Sequence, residues 1–157
     1  MLSPLSRESN YKDSLKKFFV DILSTENIPV TFDKMVNFPD IYQEAFRVTD
    51  ERVDRWVSIL SGNIYERSPF IDAYPMIYVC TRRDNEGYRL SQLRDYVLGK
   101  ISIGMAIPLY RSFPDPAQWE LLTQMTVYHL GETSQLTTKE GTKFKEIALE
   151  LKWAAML

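Results

Sequence analysis

The sequence predicts an α/β (α+β) protein with a single mixed or antiparallel sheet of about four to six strands, flanked by two main helices. Two observations carry that expectation. The run Met76-Ile77-Tyr78-Val79-Cys80-Thr81 is nearly all apolar or β-favouring and suits a strand covered on both faces. Past the charged turn Arg82-Arg83-Asp84-Asn85-Glu86-Gly87 the period changes. Leu90, Leu93, Val97 and Ile101 recur at helical spacing, with Gln92, Arg94, Asp95 and Lys100 on the other side. The chain leaves a sheet and lays a helix back over it.

The remaining elements follow in order. Residues 1–10 are polar, include Pro4 and read as a flexible N-terminal arm, ahead of a single domain over 11–157. Asn10 is placed to cap a first helix with Asp13 at its third position, and Tyr11, Leu15, Phe18, Phe19 and Ile22 form its apolar stripe opposite Lys12, Lys16 and Asp21. Ile28 to Asp33 reads as a strand whose Pro29 belongs at its start or at a sheet edge. Phe38-Pro39-Asp40 signals a turn, and Tyr42 to Val48 fits a short strand or a helical turn equally. Val53 to Leu60 is a second long strand and Met76 to Arg82 a third, with helix two over Tyr88 to Ile101.

Pro108 makes any strand over Met105 to Tyr110 short or peripheral, and Phe113-Pro114-Asp115-Pro116 is a rigid turn. From Gln124 to Leu130, Met125, Val127 and His129 alternate with Gln124, Thr126 and Tyr128, as in a half-exposed strand. The last segment satisfies a helix in part, but only a strand aligns Ile147, Leu149, Leu151 and Trp153 against Glu146, Glu150 and Lys152, so a strand is expected. Between these two lies Gly131 to Lys143, a polar connection long enough to form a flexible projection and contact element.

Composition narrows the function. A chain of 157 residues with 45% hydrophobic and 25% charged residues is an ordinary globular domain. A formal net charge of -2 gives no general attraction to phosphate. The lone Cys80 excludes an internal disulfide and suggests a buried thiol in a reducing compartment, so the chain reads as intracellular. Its first ten residues hold no apolar core of a signal peptide, and no apolar run reaches bilayer length, so neither secretion nor membrane insertion is expected.

Signals for chemistry are weak. One histidine and one cysteine are too few for a zinc site, and no cofactor is expected. Nucleophile-elbow, dinucleotide and phosphate-loop motifs are all missing. Cys80 and His129 lie in strands that could adjoin and form a nucleophilic pair, against the plainer reading of a core thiol and a sheet-face imidazole. The carboxylates Asp50, Glu51 and Asp54, and again Asp84 and Glu86, are interleaved with Arg52, Arg55, Arg82, Arg83 and Arg89, which favours ion pairs over catalysis. Aromatic residues make up 13% of the chain, and Tyr42, Tyr65, Phe70, Tyr74, Tyr110 and Phe113 sit where no core is obvious. They either fill the domain core or mark a protein interface.

The order of elements resembles the tail terminator proteins of long-tailed bacteriophages, closest to the siphophage type. The resemblance rests on the N-terminal helix, the strand Arg55-Trp56-Val57-Ser58-Ile59, the strand ending Cys80-Thr81-Arg82-Arg83, the turn Asp84-Asn85-Glu86-Gly87, the helix Leu90-Ser91-Gln92-Leu93-Arg94-Asp95-Tyr96-Val97 and a last strand ending Leu151-Lys152-Trp153. It implies a non-enzymatic virion protein that forms a hexameric ring on the tail tube, stops tube polymerisation and offers the head its docking surface. The implied partners are copies of itself, monomeric or weakly associated when free, together with the tube protein and a head-completion or connector protein. DNA would pass through the lumen without sequence-specific binding, and no membrane is involved. The implied location is the head-proximal end of the tail, reached through the host cytoplasm. Expected interface residues are Tyr65, Arg67, Phe70, Arg82, Arg83, Asp84, Glu86, Glu132, Lys139, Glu140 and Lys143, with Tyr65 and Phe70 central and the Arg82 to Glu86 turn on the rim. The alternatives are a connector protein of the same fold and a small cysteine-dependent hydrolase using Cys80 and His129.

Overall fold

The computed structural model describes residues 7–33, 53–67, 69–138 and 141–154. Helix α1 spans Arg7–Ser24, and strands β1 (Val30–Phe32), β2 (Arg55–Leu60), β3 (Ile64–Arg67), β4 (Phe70–Ala73) and β5 (Met76–Thr81) follow. Helix α2 (Tyr88–Lys100) leads into β6 (Ala106–Arg111) and a single turn of tight helix at Pro116–Gln118. The chain ends with β7 (Glu120–Glu132), β8 (Leu136–Thr137) and β9 (Lys143–Ala154).

All these strands belong to one sheet built around β9, whose 12 residues serve two neighbours on each side. On one side its first half pairs with β5, from Thr81↔Lys143 to Met76↔Ala148, and its second half with β4, from Ala73↔Leu151 to Phe70↔Ala154. On the other side lie β8, with Leu136 opposite Phe144, and β7, with Thr126 opposite Lys152. The sheet therefore forks at Tyr74-Pro75: β5 continues outward to β2 and β1, and β4 to β3. Strand β6 lies outside β7, where its Pro108 needs no second neighbour. Every pairing is antiparallel except β1 with β2. The turn and the strand or helical turn expected within residues 34–52 lie outside the described residues.

Alternation sorts the sheet into two faces. Ile147, Leu149, Leu151 and Trp153 of β9 share a face with Val57, Ile59, Ile77, Val79, Ile71, Met125 and Val127. Both helices cover this face, α1 with Tyr11, Leu15, Phe19 and Leu23 and α2 with Leu90, Leu93, Val97 and Ile101. Each such aliphatic side chain contributes about 1.5–3 kcal/mol by leaving water. On the opposite face the row Trp56↔Cys80↔Phe144, with Tyr78, forms a second buried cluster. The expected core positions of Trp56 and Cys80, the two amphipathic helices and the final strand all agree with this arrangement.

Other expectations need correction. The sheet has nine strands rather than four to six. The extra ones are β8 and the β3–β4 hairpin, held by pairing along β9 and not by any local pattern long enough to read. Gly62 allows the chain to enter that hairpin: its φ is +68°, and a Cβ there would lie 2.8 Å from the Tyr74 carbonyl oxygen. Asn10 does not cap α1, because the helix already starts at Arg7, inside the expected arm. Asn10 is instead buried, and its Oδ1 accepts from the Ser112 N–H (3.1 Å) and hydroxyl (3.3 Å), tying α1 to the end of β6.

The described part of Gly131 to Lys143 is largely tied down rather than projecting. Strand β7 runs on to Glu132, the Thr133 N–H donates to the Glu146 carbonyl (3.0 Å), and the Thr138 N–H donates to the Thr142 carbonyl (2.8 Å). The alternation expected for β7 fails at His129. A bulge between Val127 and His129 resets the register, so that His129 pairs with Glu150 and is exposed while Met125 and Val127 stay in the core.

Candidate functional site

The nucleophilic pair suggested by the sequence is not assembled. Cys80 lies opposite Phe144 on one side of β9, whereas His129 lies opposite Glu150 on the other, six positions further along. At about 3.3 Å per residue that offset is roughly 20 Å. Cys80 is fully buried between Trp56, Tyr78 and Phe144, and burial pushes its thiol well above the ordinary range. A small thiol reagent should therefore leave native protein unlabelled and modify it stoichiometrically in denaturant; native labelling at the unfolded rate would contradict this packing. Among the described residues no group of three or more His, Cys, Asp or Glu side chains is placed to hold a metal ion.

The interface residues expected from sequence do not form one patch. The Arg82 to Glu86 turn follows Thr81, opposite the first residue of β9, whereas Phe70 sits opposite Ala154, the last. The length of β9 puts these ends more than about 30 Å apart. Within the turn, Asp84 is buried and is not a rim residue: its carboxylate accepts from the Thr81 hydroxyl (3.0 Å) and the Leu90 N–H (2.9 Å). The Arg82 Nε donates to the Val53 carbonyl (2.6 Å), and its guanidinium lies 5.7 Å from the centre of the Trp56 ring. Arg83 and Glu86 are exposed.

Glu132 is held by Arg94 through two hydrogen bonds of 2.7 and 3.0 Å, which lower its carboxyl pKa and raise that of the guanidinium. Lys143 is half-buried at the start of β9, and Lys139 and Glu140 lie outside the described residues.

Tyr65, Arg67 and Phe70 do come together, on the sheet face away from the helices. The pairs Tyr65↔Asp72 and Arg67↔Phe70 in the β3–β4 hairpin continue across β9 as Asp72↔Lys152 and across β7 as Lys152↔Thr126. The Lys152 ammonium lies 4.5 Å from the Tyr128 ring centre and 5.7 Å from that of Phe70. Tyr65 packs edge-on against Tyr74 at 5.6 Å. Tyr128 is 58% exposed, Tyr65 46% and Phe70 45%, so these rings face solvent. Beneath them Asp72 is buried, its nearest cations Arg67 Nε and Lys152 Nζ each 3.9 Å away, and its Oδ1 has no hydrogen-bond partner.

Sequence reasoning found Tyr65, Arg67 and Phe70 but missed Lys152, Tyr128 and Asp72. For the first two a signal existed, since both fall in the outward phase of their strands. Exposed rings with interleaved cations on a sheet face make a surface suited to protein contact.

No family model and no curated protein matches this sequence. One solved structure, of a protein whose description states no function, superimposes with a TM-score of 0.55 at 8% identity, covering 92% of this chain and 95% of the other. It establishes likeness of fold and nothing more. A second, from Akkermansia muciniphila, covers 99% of this chain and 82% of its own at 13% identity, with a TM-score of 0.37 that carries no argument. Among the described residues no helix is long and apolar enough to cross a membrane.

Proposed function

We propose that this chain is a structural virion protein, a subunit of the ring that ends the tail tube of a long-tailed bacteriophage, stops its polymerisation and gives the head its docking surface. The observation that carries the reading is the outer face of the sheet along the second half of β9, where Tyr65, Phe70 and Tyr128 stand exposed beside Arg67 and Lys152. A monomer gains nothing by exposing rings in a row; a subunit that meets a neighbour gains their burial. Support also comes from the order of elements in which the resemblance to tail terminators lies. Partners on this reading are further copies of the chain in a hexameric ring, the tube protein and a head-completion protein. DNA passes through the lumen without sequence-specific contact.

The free subunit is monomeric or weakly associated, and the tube end supplies a template that holds neighbours at high local concentration. Removing the protein during phage assembly tests the proposal. Tails should grow past their normal length and fail to join heads. Normal-length tails that join heads would refute it, and normal-length tails that stay headless would point to a connector of the same fold.

A further inference from the structure

The antiparallel ladder of β2 with β5 ends at Leu60↔Met76, and the ladder of β3 with β4 resumes only at Ile64↔Ala73. The β3–β4 hairpin is thus a tongue hung from two neighbouring strand ends, joined to them by Ser61-Gly62-Asn63 on one side and Tyr74-Pro75 on the other. Its base is fixed. The Ser61 carbonyl accepts from the Tyr11 hydroxyl, the Ser61 N–H donates to Asp33 (2.8 Å), and the Pro75 carbonyl accepts from the Leu149 N–H (3.0 Å). Just past these anchors stand Gly62, at a φ of +68°, and the Tyr74-Pro75 junction, where proline has no N–H to carry a ladder on.

Beyond the base the tongue is lightly held. Strand β4 packs chiefly on β3 and on the second half of β9, from Ala73↔Leu151 to Phe70↔Ala154. Among the described residues of the tongue, only Ile71 and Ala73 are apolar side chains buried in the core, whereas Tyr65, Glu66, Arg67 and Phe70 are exposed. Asp72 works against closure. Its Oδ1 accepts no hydrogen bond, its nearest cations are 3.9 Å away, and the buried carboxylate regains water when the tongue lifts. The strand left behind has its own supports: β9 stays paired with β7 through Thr126↔Lys152 and Val127↔Leu151, and Trp153 stays stacked on Tyr11 of α1.

We infer that β3 and β4, from Gly62 to Tyr74, form a hinged tongue that lifts off β9 as a unit while the rest of the domain stays folded. Opening bares the edge of β9 from Leu151 to Ala154 and carries Tyr65 and Phe70 away from Tyr128 and Lys152. The aromatic face is therefore assembled only in the closed form. A partner that covers Tyr65, Phe70 and Tyr128 together selects that form, so its binding is linked to closure of the tongue. The motion belongs to the free subunit and stands whether or not the subunit enters a ring.

Hydrogen exchange of the unmodified protein tests it, read by mass spectrometry on peptic fragments at several urea concentrations below the unfolding transition. Strand β4 decides the matter, because it is paired on both sides, with β3 and β9, and fraying of a sheet edge does not reach it. Fragments covering 70–74 should exchange about a hundredfold faster, or more, than fragments covering β5, and at a rate that urea barely changes, since a local opening exposes little surface. Exchange of β4 as slow as that of β5, with the same urea dependence, would overturn the inference. Thiol labelling of Ala73→Cys gives a second readout, with the buried Cys80 of the same molecule as the reference for global unfolding. The introduced thiol should react about a hundredfold faster than Cys80 in the folded variant, and equal rates would likewise overturn the tongue. Either failure leaves the ring reading to the tail-length experiment.

Discussion

Replacing Tyr11 by alanine should lower the stability of the protein by about 3–5 kcal/mol, because it empties the place where α1 meets the sheet. Tyr11 is fully buried, and its ring stacks on that of Trp153 with centroids 5.8 Å apart and planes at 19°. Its hydroxyl donates to the carbonyl of Ser61 just past β2, and the Ser61 N–H and hydroxyl in turn donate to the Asp33 carboxylate at 2.8 Å. One side chain thus ties α1 to the second half of β9 and to the β1–β2 end of the sheet. Burial, reinforced by the Asp33 charge, pushes the phenol far above its ordinary pKa, so it remains a donor at any working pH. Tyr11→Phe keeps the ring and orphans only the Ser61 carbonyl, for an expected cost of about 1–2 kcal/mol. Urea unfolding with unchanged m-values measures both, and an alanine variant within about 1 kcal/mol of wild type would contradict this role.

How much of this was legible in the sequence depended on whether the determinant was local. Strand β5 and helix α2 announce themselves because a dense β-favouring run gives way to a clean helical period at Leu90, Leu93, Val97 and Ile101. In β9 the choice between helix and strand could be made because only a two-residue period buries Trp153 with Leu149. The β3–β4 hairpin is invisible in the sequence because its strands are four residues each, and only the pairing of β4 along the far half of β9 holds them in the sheet. The misplacement of His129 has a similar origin: alternation presumes an unbroken ladder, and one bulge inverts all that follows.

The candidate surface was half legible. Exposed aromatics at Tyr65 and Phe70 are a compositional signal, but nothing in the chain says that the Arg82 to Glu86 turn lies at the opposite end of β9. The unmatched oxygen of Asp72 depends on where Arg67 and Lys152 stop short, which is a matter of distances and not of pattern.

Asp84 illustrates a role that sequence position conceals, and it supports the second large expectation: Asp84→Ala should cost about 2–3 kcal/mol at neutral pH and Asp84→Asn about 1–2 kcal/mol. Helix α2 is preceded by Gly87 at φ 76°, which has no side chain to satisfy the first helical N–H groups. Asp84 reaches over from the preceding turn to accept from the Leu90 N–H at 2.9 Å, and the Thr81 hydroxyl at 3.0 Å fixes its orientation. Desolvation works against its charge, but the hydrogen bonds from the Leu90 N–H, the Thr81 hydroxyl and the Arg89 N–H, aided by the Arg89 charge, outweigh it and hold the carboxyl below its ordinary value.

The unfolded chain therefore takes up this proton at higher pH than the folded one does. The carboxylate's contribution is complete above the unfolded value of about 3.9 and is lost as pH falls through the lower folded value. The gap in unfolding free energy between wild type and Asp84→Asn should be constant from about pH 7 to pH 5 and should close on further acidification. Urea midpoints measured across that range check it. A gap that persists unchanged at low pH would mean that shape rather than charge holds the helix start, and no gap at neutral pH would remove Asp84 from that role altogether.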